Sequence, residues 1–134
     1  MELEDKCVNC SGKVLSVLRV MSGLLMLQHG AQKVLGFPVA QKMPFELFSK
    51  MGFVGLLELV GGLLLAIGLF TRPVAFLLSG LMAFAYFLAH APNGFFPMVN
   101  GGELAVIYCF VYLYLAAAGG GPWSVDQLRR NSSK

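Results

Sequence analysis

Four apolar runs govern what this chain can fold into: residues 14–35, 53–70, 74–91 and 103–118. A helix that crosses the hydrocarbon of a bilayer needs about 20 mostly apolar residues, and each run meets or approaches that length. Backbone N–H and C=O groups in lipid must find partners inside the protein, which a helix supplies from its own segment. Composition agrees. Of 134 residues, 57% are hydrophobic and 13% charged, with a mean hydropathy of +0.71. A soluble domain carries roughly 25% charged residues, and one of this size buries only about 60–70% of its surface. Something apolar must therefore cover the outside. The figures exclude an ordinary cytosolic enzyme, a disordered tail and a nucleic-acid binder, for which a net charge of +3 is also too small. The expectation is an all-α transmembrane four-helix bundle with the lipid bilayer as its first partner.

The punctuation between the runs sets the expected boundaries. Residues 1–13, with Glu2, Glu4 and Asp5, read as an N-terminal tail. The first run has no short apolar core followed by a small-residue cleavage site, so it reads as a retained helix rather than a signal peptide. Thr71-Arg72-Pro73 leads into the third run. Pro73 suits a first helical turn, and its predecessor Arg72 is expected outside the helical region. Gly119-Gly120-Gly121-Pro122 ends the fourth run, and residues 119–134 form a C-terminal tail. Within that tail Ser124 and Gln127 have the spacing of a capping box for a short interfacial helix, with Trp123 at the membrane surface. The loop 36–52 is long enough for another interfacial helix, started by Pro44, with Phe45 and Phe48 toward lipid.

Four crossings put both termini on one side. Lys6, Lys13, Arg19, Arg72, Arg129, Arg130 and Lys134 then share that side, against Lys33, Lys42 and Lys50 on the other. Basic residues accumulate on the cytoplasmic side, so both termini are expected in the cytoplasm. Depth follows from helix alternation. His29 and Lys33 close the first span, Glu58 lies early in the second, His90 ends the third and Glu103 opens the fourth. All fall at the outer end, as do Gln32, Asn93 and Asn100.

A charge inside a span costs several kcal/mol and faces the bundle interior or water. Glu58 reads either as a proton-handling or ligand-binding carboxylate or as half of an ion pair with Lys33 or Arg19 that fixes helix register. His29 and His90 have three readings: metal ligands with Glu58 and Glu103, contacts to a quinone head group or a proton relay, or interfacial histidines satisfied by water. Arg19 is near enough to the inner surface to snorkel, with pairing inside the bundle as the competing reading. Gly61, Gly62 and Gly68 serve close helix packing. Cys7-Val-Asn-Cys10 is a candidate redox dithiol or half of a shared metal site, or simply part of a flexible tail; Cys109 is a packing residue.

The run Gln28-His29-Gly30-Ala31-Gln32-Lys33, the stretch Glu58-Leu59-Val60-Gly61-Gly62, the motif His90-Ala91-Pro92-Asn93-Gly94-Phe95-Phe96 and Gly101-Gly102-Glu103 resemble the DoxX family of small four-helix membrane proteins. The likeness runs from about Val14 to Leu128 and leaves out Cys7 and Cys10. It implies a bacterial plasma membrane and a subunit associated with quinone-linked oxidoreductases. On that reading Glu58 and His90 exchange protons, and His29, Gln32, Lys33, Asn93 and Glu103 contact a quinone or similar lipid-soluble ligand. No motif for a covalently held cofactor, flavin, haem or iron–sulfur cluster is present, so electrons come from a soluble or membrane redox partner. A scaffold subunit without ligand chemistry, and a small-metabolite carrier that would need a homo-oligomer to form its pore, are the competing expectations.

Overall fold

The computed structural model describes residues 2–40 and 45–133. Its elements are α1 (Glu2–Leu35), α2 (Lys50–Ile67), α3 (Thr71–Ala85), a π-helical turn (Tyr86–His90), a 3-10 turn (Ala91–Asn93), α4 (Pro97–Asn100), α5 (Glu103–Ala118) and α6 (Val125–Ser132). The described residues contain no strand. Three helical stretches are long and apolar enough to cross a membrane: Cys10–Leu35, Lys50–Ile67 and Thr71–Asn93. Glu103–Ala118 is apolar but shorter, at 16 residues, or about 24 Å at 1.5 Å per residue.

Two antiparallel helix pairs make the bundle. In the first, α1 and α2 approach until their backbones touch. A Cβ on Gly30 would collide with the Leu59 backbone and one on Gly62 with the Leu27 backbone, and one on Gly23 would sit 2.6 Å from Ala66 N. Gly23 and Gly30 are seven residues apart on one face of α1. Gly55 and Gly62 repeat that spacing on α2, whose buried face is Gly52, Gly55, Glu58, Gly61, Gly62 and Leu65. Small residues let helices pack closely where lipid offers no hydrophobic drive between them. Ser49 caps α2 by accepting from Gly52 N at 3.0 Å, and Gly68 ends it in the left-handed conformation that glycine adopts without a Cβ clash.

In the second pair α3 packs against α5 through Ala75, Leu78, Met82, Tyr108, Tyr112 and Leu115. Ser79 Oγ donates to Cys109 O at 2.7 Å. The pairs meet where Tyr112 Oη donates to Ser22 O at 2.9 Å. Large side chains outside this narrow core, among them Leu24, Leu63, Phe76, Leu77, Ile107 and Phe110, are exposed. That is the pattern of a surface made for lipid.

Several boundaries differ from expectation, and α2 and α3 each start three residues before the apolar runs at 53–70 and 74–91. Helix α1 continues through residues 2–13 rather than starting at 14. Arg72 is helical, because α3 starts at Thr71; Pro73 then falls in the first turn, where its missing N–H has no intrahelical partner to lose. Residues 45–49 form a turn rather than a helix, and Pro44, the expected start of an interfacial helix there, lies outside the described residues. The fourth run, 103–118, coincides with α5, and Ser124 caps α6 by accepting from Gln127 N at 3.2 Å.

Candidate functional site

The bundle has a polar construction at each end. At the end carrying the loop after α1, Lys33 Nζ lies 2.6 Å and 2.7 Å from the two carboxylate oxygens of Glu58. Glu58 is 3% exposed, and the Lys33 side chain is 20% exposed. Gly55, one turn before Glu58, makes room for the lysine stem: a Cβ there would lie 2.7 Å from Lys33 Cβ. The glycine stripe thus serves both the packing and the ion pair.

A cavity of 260 Å3 opens beside this pair. His29, Lys33, Glu58, His90 and Tyr108 supply its polar lining, and Met26, Met82 and Leu104 part of its apolar lining. His29 meets the Tyr108 ring edge-on, with centroids 6.5 Å apart. Tyr108 stacks on Tyr112 at 5.5 Å. His90 is the last residue of the π turn, a rare element frequent at functional sites. Its Nδ1 is 3.2 Å from the Asn100 carbonyl, which can only accept, so Nδ1 carries the proton and Nε2 of the neutral ring is left as an acceptor. Asn100 organises the surrounding loop. Its Nδ2 donates to Gly94 O at 2.7 Å and its Oδ1 accepts from Gly102 N at 2.8 Å.

Four of the residues singled out in the sequence therefore line one cavity: His29, Lys33, Glu58 and His90. Gln32, Asn93 and Glu103 are not among its lining residues. Gln32 is half-buried and Glu103 exposed on the first turn of α5. Asn93 is exposed and donates to Ala89 O at 3.1 Å. Among the described residues no group of three or more His, Cys, Asp or Glu side chains is placed to hold a metal ion. Cys7 and Cys10 are free thiols, exposed one turn apart on α1 rather than in a flexible tail, and Cys109 is half-buried. Tyr108, which the sequence reading does not single out, lines the cavity, and Tyr112 stacks behind it. Their signal in the sequence is a pair of phenols four residues apart in an apolar span, where a hydroxyl needs a partner inside the bundle.

At the opposite end Arg19 overturns the snorkelling expectation. It is 1% exposed. Its Nε donates to Gly120 O at 2.8 Å, Nη1 to Leu65 O and Ala66 O at 2.6 Å each, and Nη2 to Trp123 O at 2.7 Å. The guanidinium closes the last turn of α2 and ties down the glycine-rich exit from α5. Arg72 donates to the carbonyls of Ala116 and Ala117 at the end of α5. Asp126 on α6 accepts from Phe70 N and Thr71 N at 2.8 Å each, and so caps α3 from a distant part of the chain.

Comparison with known proteins agrees with the motifs. The DoxX family model matches residues 14–91. An uncharacterised protein of Haemophilus influenzae is 39% identical over 122 residues, covering 84% of this chain and 87% of that protein. A second uncharacterised protein of the same organism is 37% identical over 71 residues, covering 53% of this chain and 47% of its own length. No solved structure gives a significant match. With more than half its length under the family model and a relative matched almost end to end, the chain belongs to the DoxX family.

Proposed function

We propose that the protein is a redox-associated membrane subunit that binds the head group of a quinone or similar lipid-soluble carbonyl compound beside the Lys33–Glu58 pair. The observation that carries this reading is the cavity at which a buried ion pair, two histidines and a tyrosine from four helical segments converge. Its volume of 260 Å3 is below the roughly 300–1,000 Å3 of pockets that enclose whole drug-sized ligands. It suits a single ring, with an isoprenoid tail left among the lipids. His29 and Lys33 donate to the carbonyl oxygens. Glu58 and His90 exchange the two protons that accompany two-electron reduction to the quinol. The electrons come from a partner protein. In this proposal the four apolar helices all cross the bacterial plasma membrane, and both termini are cytoplasmic.

The competing reading is a scaffold in which Lys33 and Glu58 only fix the register of α1 and α2. It is favoured by the ion pair itself, since both oxygens of Glu58 are already engaged. Quinone binding by the purified protein in lipid nanodiscs separates the two. Removing one partner alone leaves a buried charge, at about 3–5 kcal/mol, so the variants compared are His29→Ala and the paired Lys33→Met with Glu58→Met. We expect both to keep wild-type yield and to weaken short-chain quinone binding tenfold or more. Unchanged binding in both assigns the pair to structure alone.

A further inference from the structure

The larger cavity lies at the Arg19 end and takes no part in the function proposed above. It has a volume of 590 Å3 and is bounded by the start of α3, the glycine turn after α5, and α6. Arg72, Arg129 and Arg130 line it, with Asp126 as the one carboxylate. Both Asp126 oxygens are occupied by the Phe70 and Thr71 amides, at the positive end of α3. The carboxylate is held in place there and offsets only one of the three arginine charges, so the lining stays cationic. Arg72 is anchored on the carbonyls at the end of α5, and the Arg129 guanidinium sits 5.4 Å over the Phe70 ring. Among the described residues the side chains of Arg129 and Arg130 donate no hydrogen bond to the protein, which leaves their planar forks free for an oxyanion. Exposed Phe70, Trp123 and Leu128 occupy the same end, which gives it the aromatic and apolar rim of a membrane interface.

We propose that this cavity binds the phosphate of an anionic phospholipid. Arg129 and Arg130 grip the phosphate oxygens, Arg72 supplies a fixed third charge, and the acyl chains pass Phe70 into the bilayer. Basic pockets between helices near the cytoplasmic surface hold lipid head groups in this way. The apolar rim makes a lipid, rather than free phosphate, the occupant. The proposal does not depend on the site at Glu58, and loss of quinone binding would leave it intact.

Native mass spectrometry of the protein in neutral detergent tests it, with phosphatidylglycerol and phosphatidylcholine of identical chains and with inorganic phosphate as competitor. We expect phosphatidylglycerol to be retained at least about fivefold better than phosphatidylcholine. Arg129→Gln and Arg130→Gln should each weaken that retention by about fivefold, the scale of one basic residue at an anionic surface. Lys13→Gln, which removes a charge from α1 outside the cavity lining, should not. Equal retention of the two lipids, full retention in the Arg129→Gln/Arg130→Gln double variant, or an equal loss with Lys13→Gln would overturn the site. Displacement by equimolar inorganic phosphate would overturn the lipid assignment in favour of a free-anion site.

Discussion

Arg19 is the residue on which one end of the bundle depends. A guanidinium at 1% exposure is sustainable only with its donors filled, and here four carbonyls fill them. Of these, Leu65 O also accepts from Gly68 N, so loss of Arg19 leaves the Ala66, Gly120 and Trp123 carbonyls without their side-chain donor. A buried unpaired carbonyl costs roughly 1–3 kcal/mol. The Gly120 bond is buried and the other two are half-buried, so we expect Arg19→Met to lower unfolding stability by about 1–3 kcal/mol or more. Arg19→Lys should recover part of that loss, because an ammonium offers a point charge in place of a planar fork. Thermal unfolding in detergent checks this; a wild-type midpoint for Arg19→Met would refute the clamp. Depth was legible for this arginine and azimuth was not. Its place in the run gives its height in the membrane. Whether it points to lipid or into the bundle depends on where the glycine turn 119–121 returns, more than 100 positions later.

Between elements, the instructive contact is the capping of α3 by α6. Phe70 stands at the N-cap position and offers no side-chain acceptor, so the helix borrows Asp126. Burial alone would raise the Asp126 pKa. The amide bonds from Thr71 and Phe70, with the charge of Arg130, outweigh it and hold the carboxyl below its ordinary value. A depressed carboxyl contributes stability that is fully present above its unfolded pKa of about 3.9 and is lost as pH falls through the folded value. The docking of α6 should therefore persist down to about pH 4 and fail below it. Trp123, the one tryptophan, precedes α6 and reports the change through its emission. In Asp126→Asn, which has no ionisable group at that position, the acid transition should disappear. The same titration in both proteins would remove Asp126 as its cause. The elements themselves were unevenly legible. Glycines flank residues 103–118 on both sides, and α5 matches that run. Helix α1 outruns its apolar segment because hydropathy marks only what lipid covers, while Glu, Lys and Leu in residues 2–13 are good helix formers in water. At the site, alternation of the spans gave every polar group its height. Of these, only His29, Lys33, Glu58 and His90 line the one cavity; Gln32 stands about 100° around α1 from Lys33.

At the scale of the whole molecule, the two ends divide the work. One end is locked by long-range bonds from Arg19, Arg72 and Asp126, while the other keeps an open cavity beside a buried ion pair. Orientation decides which compartment each end faces, and the native thiols can read it. Cys7 and Cys10 are exposed near the start of α1, while Cys109 is half-buried within α5. If the excess of Lys and Arg at the Arg19 end sets the topology, a membrane-impermeant maleimide should label Cys7 and Cys10 in inverted vesicles and not in intact spheroplasts. A Cys7→Ser/Cys10→Ser variant should abolish the signal, because Cys109 is half-buried within the apolar helix α5. Labelling in spheroplasts would place the Lys33–Glu58 cavity on the cytoplasmic side and, under the proposed function, call for a cytoplasmic redox partner. Labelling confined to inverted vesicles would put that cavity in the outer leaflet, so under the proposed function the protons for Glu58 and His90 would come from the outer face.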